Sequence, residues 1–126
     1  MDTLKVWHEV MLAHDFEKLN AILHKDVVFI SPVVHTPQVG AAITCKYLTA
    51  AAHVLGNDKF NYVREVRDSS GAILEFETEI DGKYVNGVDM ITWNDQGLIT
   101  EFKVMVRPLQ AVNTIHATMG KMLTKL

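Results

Sequence analysis

The chain has 126 residues, 48% of them hydrophobic and 21% charged, with a formal net charge of -3. That is the size and balance of a single domain, residues 1–126, able to bury a real core, and its arginines (Arg64, Arg67, Arg107) form no cluster that would invite nucleic acid or an anionic membrane. Cys45, the one cysteine, excludes an internal disulfide framework, and neither a signal peptide nor an apolar run of bilayer length is visible, so the expected setting is cytoplasmic.

Asp2 or Thr3 can cap a first helix, with Leu4, Trp7, Val10 and Met11 at helical spacing. Asp15 caps a second, shorter helix carrying Phe16, Leu19, Ile22 and Leu23, ended by His24-Lys25-Asp26. Val27 to Ser31 is a β-rich run stopped by Pro32, and Pro32 to Pro37 is a loop. A third helix is expected from about Gln38 to Gly56-Asn57-Asp58, burying Ile43, Tyr47, Val54 and the alanines between them.

Beyond that point the hydrophobic period changes from helical to alternating. Phe60, Tyr62 and Val66 share a parity that Arg64 interrupts. Ala72, Leu74, Phe76, Thr78 and Ile80 alternate against Ile73, Glu75, Glu77 and Glu79, whose carboxylates suit a wet face or a guarded edge. Asp81-Gly82 is a strong hairpin turn. The run Val85 to Trp93 follows, then a turn at Asn94 to Gly97. A last strand is expected to place Leu98, Phe102, Val104 and Val106 on one face, with Ile99, Glu101, Lys103, Met105 and Arg107 on the other. Pro108 starts a final helix with Leu109, Val112, Ile115 or His116, Met119 and Leu123 on one side. Helices first and a meander of strands after them argue for an α+β fold with helices covering one sheet face.

Val85, Gly87, Asp89, Ile91 and Trp93 share one face of their strand, and Asp89 is the only charged group on it. A carboxylate among Val, Ile and Trp is costly unless it is paired (to a buried Trp, Tyr or Arg), protonated or open to a cavity. Asp89 is therefore the candidate polar group at the floor of a pocket. His35, in the loop after Pro32, is the best candidate for a partner base. Trp7 and Tyr47 reach from helices toward the sheet, and Phe29, Leu74, Phe76, Phe102, Val104 and Val106 supply apolar walls.

Other chemistries find little footing. His8 and His14 do not share a helix face, Leu12 stands where a zinc-protease pair needs its second His, and no metal site or cofactor is expected. The glycines form no phosphate-binding loop. Ser31 lacks the His and elbow turn of a nucleophile, and Cys45, mid-helix, reads as a packing residue.

The order of elements resembles the nuclear transport factor 2-like superfamily, in particular its SnoaL-like and steroid isomerase-like bacterial members. The resemblance rests on Asp15-Phe16, Asp26-Val27-Val28-Phe29 running into Ser31-Pro32, Gly40 inside the third helix, Val88-Asp89 with Gly97-Leu98-Ile99, and Arg107-Pro108-Leu109. It implies a cone: a strongly curved antiparallel sheet around a cavity that the N-terminal helices close, a cystatin-like fold. It also implies a homodimer through the outer sheet face, here Val88, Met90, Thr92, Lys103 and Met105.

By the same resemblance, Asp89 falls where the steroid isomerase-like members keep a carboxylic acid that hydrogen-bonds a developing oxyanion. Ser31 occupies the position of their general-base Asp, and Trp7 that of their oxyanion-hole Tyr. A serine cannot shuttle a proton without its own base, and an indole donates a hydrogen bond without acting as an acid. The isomerase mechanism therefore does not transfer as it stands, though in SnoaL-like cyclases an Asp acts as acid/base and Asp89 could fill that role. The leading expectation is a cofactor-independent pocket that binds a small, largely apolar molecule, with Trp7, Phe29, Ser31, Tyr47, Leu74, Phe76, Phe102 and Val104 contributing to it. The alternatives are a SnoaL-like proton-transfer enzyme (isomerase, cyclase or hydrolase type) using Asp89 and His35, and a protein-interaction module.

Overall fold

A computed structural model of the chain describes residues 2–125. Helix α1 spans Thr3–Ala13, and the Asp2 carboxylate caps it by accepting from the Lys5 N–H. Its buried side holds Leu4, Trp7 and Val10. Helix α2, Phe16–Ala21, is capped the same way by Asp15. It stops sooner than the sequence suggests: Leu23 already pairs with Ile99, so His24-Lys25-Asp26 lie in strand β1, Leu23–Ile30, instead of ending a helix.

After the loop at 31–37, the two residues Gln38–Val39 pair with β1 as strand β2 where a helix is expected to begin. Gly40 then serves as the N-cap of α3, Ala41–Leu55, and is not inside it. The buried side of α3 holds Thr44, Leu48, Ala50, Ala52, Val54 and Leu55; Val54 and two of the alanines are buried as expected, whereas Ile43 is exposed and Tyr47 half-buried.

The strands β3 (Asn61–Arg67), β4 (Gly71–Ile80), β5 (Lys83–Trp93) and β6 (Ile99–Arg107) form the meander. The six strands make one curved, open sheet in the order β2-β1-β6-β5-β4-β3. Its pairs are antiparallel except β1 with β6, which run parallel, so the sheet is mixed where a purely antiparallel one is expected. That pair is distant in sequence and leaves no local signal.

Two irregularities reset the alternation. In β3 the register shifts between Tyr62 and Arg64: Tyr62 faces Phe76, but Val66 faces Ile73 and turns outward. Between β5 and β6, Thr92 pairs with Glu101 and Trp93 with Ile99, so Ile99 is buried instead of lying with the outer residues. The β4 carboxylates guard no edge, because β4 lies between β3 and β5; Glu75 meets Arg64, Glu79 meets Lys59, and Glu77 accepts from Tyr84. Asp81 and Gly82 turn the β4–β5 hairpin, both at positive φ, as its tight turn requires.

Helix α4, Leu109–Leu123, buries Ala111, Ile115 and Met119 against the other elements, leaving Leu109 and His116 exposed. The core lies between the helices and the concave sheet face, where Leu74, Phe76, Val85, Ile91 and Phe102 are almost wholly removed from water.

Candidate functional site

The register across the sheet builds the site. Leu74 on β4, Asp89 on β5 and Val104 on β6 form one cross-strand row, with the row Phe76–Gly87–Val106 beside it. Gly87 is required here: a Cβ on it would come within 2.5 Å of Phe76 Cζ and 2.7 Å of the Met105 carbonyl oxygen. The Phe76 ring thus lies over the glycine next to the carboxylate. Asp89 itself is 6% exposed.

The carboxylate is paired, and its partner is Tyr62. The Tyr62 hydroxyl donates to Asp89 Oδ2 at 2.6 Å and accepts from the Trp7 indole N–H at 3.0 Å. The direction of this chain is fixed chemically, because an indole N–H can only donate. Tyr62 spends its single proton on Asp89, and Oδ1 has no protein partner among the described residues.

Burial pushes the Asp89 carboxyl up to about 7, against the opposing pull of the Tyr62 hydrogen bond. Burial, followed by the neighbouring Asp89 charge, drives the Tyr62 phenol well above its ordinary value. The pair thus holds one exchangeable proton near neutrality, on the carboxyl side.

Asp89 opens into a hollow of about 40 Å³ whose apolar walls include Trp7, Phe29, Phe76, Phe102 and Val104. Trp7 meets Phe102 edge-on at 4.8 Å, yet a space remains between them and the carboxyl. A water needs roughly 10–15 Å³ measured this way, so the hollow takes a few waters or a small polar head. Drug-sized ligands occupy sites of roughly 300–1,000 Å³.

Of the residues singled out in the sequence as site or wall, Trp7, Phe29, Ser31, Phe76, Asp89, Phe102, Val104 and Val106 line this hollow. Leu74 lies directly behind, fully buried and paired with Asp89 across the strands. Tyr47 stands one ring back, packed on Phe29 at 5.6 Å. His35 is exposed in its loop and is not among the lining residues. The Ser31 hydroxyl accepts from the Val33 and Val34 N–H groups, which ties it to its own loop.

Residue-level reading missed Tyr62, although its parity with Phe60 was visible and a tyrosine was among the partners that a buried Asp would accept. It also missed Met11, Ile115 and Met119 as cavity walls. Among the described residues, no group of three or more His, Cys, Asp or Glu is placed to hold a metal ion.

No protein-family profile and no curated protein matches the chain. Solved structures do. A steroid Δ-isomerase from Pseudomonas aeruginosa is 34% identical with a TM-score of 0.92, over 98% of this chain and 90% of that one. An uncharacterised bacterial protein with a cystatin-like fold from Silicibacter pomeroyi is 28% identical with a TM-score of 0.87, over 94% and 83% of the two chains. An NTF2-like protein of unknown function from Cytophaga hutchinsonii shares the fold at 15% identity and a TM-score of 0.63, over 87% and 91%.

Proposed function

The chain belongs to the nuclear transport factor 2-like superfamily, in its SnoaL-like and steroid isomerase-like branch, and from that membership we propose that it is a pocket protein for a small, largely apolar molecule. The ligand carries one polar group, which docks on Asp89. The observation behind this reading is the unshared Asp89 Oδ1 in an otherwise apolar hollow, with Oδ2 already held by Tyr62. A buried carboxyl with one open oxygen rewards a ligand that completes its hydrogen bonding and penalises one that does not.

A second reading, proton-transfer catalysis of isomerase type, draws on the steroid isomerase relative and on the Asp89 carboxyl lying at about 7, where a group both takes and returns a proton at neutral pH. It has to work with one carboxyl, since Ser31 and His35 supply no second base at the hollow.

One experiment separates the two. Apolar ketones and phenols are screened by thermal shift, and the hits are compared between the native protein and Asp89→Asn and Asp89→Leu variants. The pocket reading expects Asp89→Leu to weaken hits at least tenfold; undiminished binding would overturn it. Deuterium exchange at the α-carbon of a bound ketone, lost in Asp89→Asn while affinity is largely kept, would establish catalysis.

The same proposal extends to assembly and setting: a homodimer through the outer sheet face, in the cytoplasm. Val66, Ile73 and Met90 form one outward cross-strand row, and Met105 beside them is half exposed, a continuous apolar surface of the kind that protein contacts cover. No helix among the described residues is long and apolar enough to cross a membrane.

A further inference from the structure

The hollow beside Asp89 holds about 40 Å³ and most of its wall is buried, so nothing larger than a few waters reaches the carboxyl unless some element moves. Which element moves depends on what ties each one down. Helix α1 is fastened to the strands and their turns by side chains: Thr3 donates to the Gly97 carbonyl oxygen at 2.6 Å, Trp7 donates to Tyr62, and His8 meets Glu65 at 2.9 Å. Just after α2, the Ile22 carbonyl oxygen accepts from the Ile99 N–H at 2.7 Å. Just after α3, the Asn57 side-chain amide donates to the Glu79 carbonyl oxygen at 2.9 Å.

Helix α4 is fastened differently. Its Thr118 hydroxyl donates to the Thr114 carbonyl oxygen and Thr124 to that of Lys121, both within the helix. Among the described residues it makes no ion pair and no side-chain hydrogen bond to another element. Its sequence is also a poor helix former. Val112-Asn113-Thr114-Ile115-His116 are five consecutive residues from the lower part of the propensity scale, Gly120 follows, and Pro108 at the N-cap supplies no side-chain hydrogen bond. What holds α4 is apolar contact of Ala111, Ile115 and Met119 with α3 and the sheet. Ile115 and Met119 are also the side chains by which α4 walls the hollow. A helix of weak intrinsic helicity held by one apolar face belongs at the low end of a protein's local stabilities.

We propose that α4 is the gate of the hollow: it detaches from α3 and the sheet while the other helices stay docked, and molecules reach Asp89 through the gap left by Ile115 and Met119. The strength with which the gate closes is then set by the helix propensity of α4, at positions outside the site. Ala117 and Gly120 are such positions. Both are exposed, and a Cβ on Gly120 would meet nothing within 4 Å.

The gate operates whatever the hollow holds, and its test contains no ligand, so the pocket reading of Asp89 is judged separately. Amide hydrogen exchange on the full chain, followed by NMR, should show Ile115 and Met119 opening at least roughly tenfold more often than Leu74 and Phe76 of β4. Dilute urea should barely change the α4 rates, the mark of an opening that exposes little surface. Access is read by thiol labelling. In a Cys45→Ala background, Ala52→Cys sets a thiol in the hollow wall, and iodoacetamide counts the openings that expose it. Val104→Cys gives the same reading from the sheet side should Ala52→Cys fail to fold. Gly120→Ala should slow the labelling and the exchange of Ile115 and Met119 about fivefold, and Ala117→Gly should speed both about fivefold, the factor between Gly and Ala in a helix. Lys46→Gly, a comparable weakening on the exposed side of α3, should leave both unchanged.

If the α4 amides exchange together with those of β4, the helix leaves only on global unfolding and the gate is refuted. It is refuted equally if Ile115 and Met119 follow the α4 variants but the labelling does not, because α4 then frays without exposing the hollow. Faster labelling in Lys46→Gly with no response to Gly120→Ala would place the entrance at α3 instead.

Discussion

Asp89 is where the chain departs most from what an apolar strand face would choose, and the departure has a measurable cost. Its carboxyl ionises near 4 in the unfolded chain and at about 7 in the folded one. Between those values the native state holds more protons than the unfolded state, so this group's contribution to stability falls as pH rises from about 4 to about 7 and is level above. The span corresponds to on the order of 4 kcal/mol. Asp89→Asn removes the titration and keeps an acceptor for Tyr62. Urea melts at pH 5 and pH 8 should therefore show the variant gaining on the native protein by a few kcal/mol as pH rises; parallel curves would mean the carboxyl ionises normally. Tyr62→Phe acts in the opposite sense. It takes a charge-assisted hydrogen bond from the ionised carboxyl and the acceptor from the Trp7 N–H. Its cost should be about 1–3 kcal/mol and larger above pH 7 than below, with the Asp89 carboxyl carbon titrating at higher pH in NMR.

At the scale of elements, the parts readable in the sequence are those with an uninterrupted period. Strand β4 alternates as expected from Ala72 to Ile80, the Asp81-Gly82 turn forms, and β5 sends Val85, Gly87, Asp89 and Ile91 inward. The misreadings fall where one residue breaks the period or a distant partner decides. The β3 bulge turned Val66 outward, and the irregular β5–β6 register buried Ile99. The pairing of Leu23 with Ile99 drew His24-Lys25-Asp26 into a strand. The site divides along the same line: Asp89 stood out because it offended its own strand, whereas Tyr62 comes from an edge strand two places away in the sheet and only topology joins them. Gly87 links element to site. Gly87→Ala would push Phe76 toward the hollow, and overpacking of this kind costs about 1–3 kcal/mol. A lowered urea midpoint together with loss of phenol binding is the expected result; an unchanged midpoint would show that both the Phe76 ring and the Met105 backbone can give way.

For the molecule as a whole, the sheet has two faces with different work. The concave face is committed to the core and the Asp89 hollow, and helices cover it. The convex face is bare, and its apolar residues are too well aligned to be scattered surface hydrophobes: Val66 is 59% exposed and its cross-strand neighbour Ile73 is 43% exposed. Charge frames this patch, with Lys103 next to Met90 and the Arg64–Glu75 pair next to Val88. A face with an apolar centre and a charged margin has the anatomy of an interface between copies. Light scattering on the full chain should then return twice the 14.2 kDa monomer mass. Ile73→Lys with Met105→Lys places like charges opposite one another at that interface and should give a monomer. Because both side chains point away from the hollow, phenol binding at Asp89 should survive in the monomer. A monomeric native protein would refute the assembly, and a variant that stays dimeric would move the interface elsewhere. Loss of phenol binding on dissociation would mean that the site depends on the partner copy, tying the two faces of the sheet together.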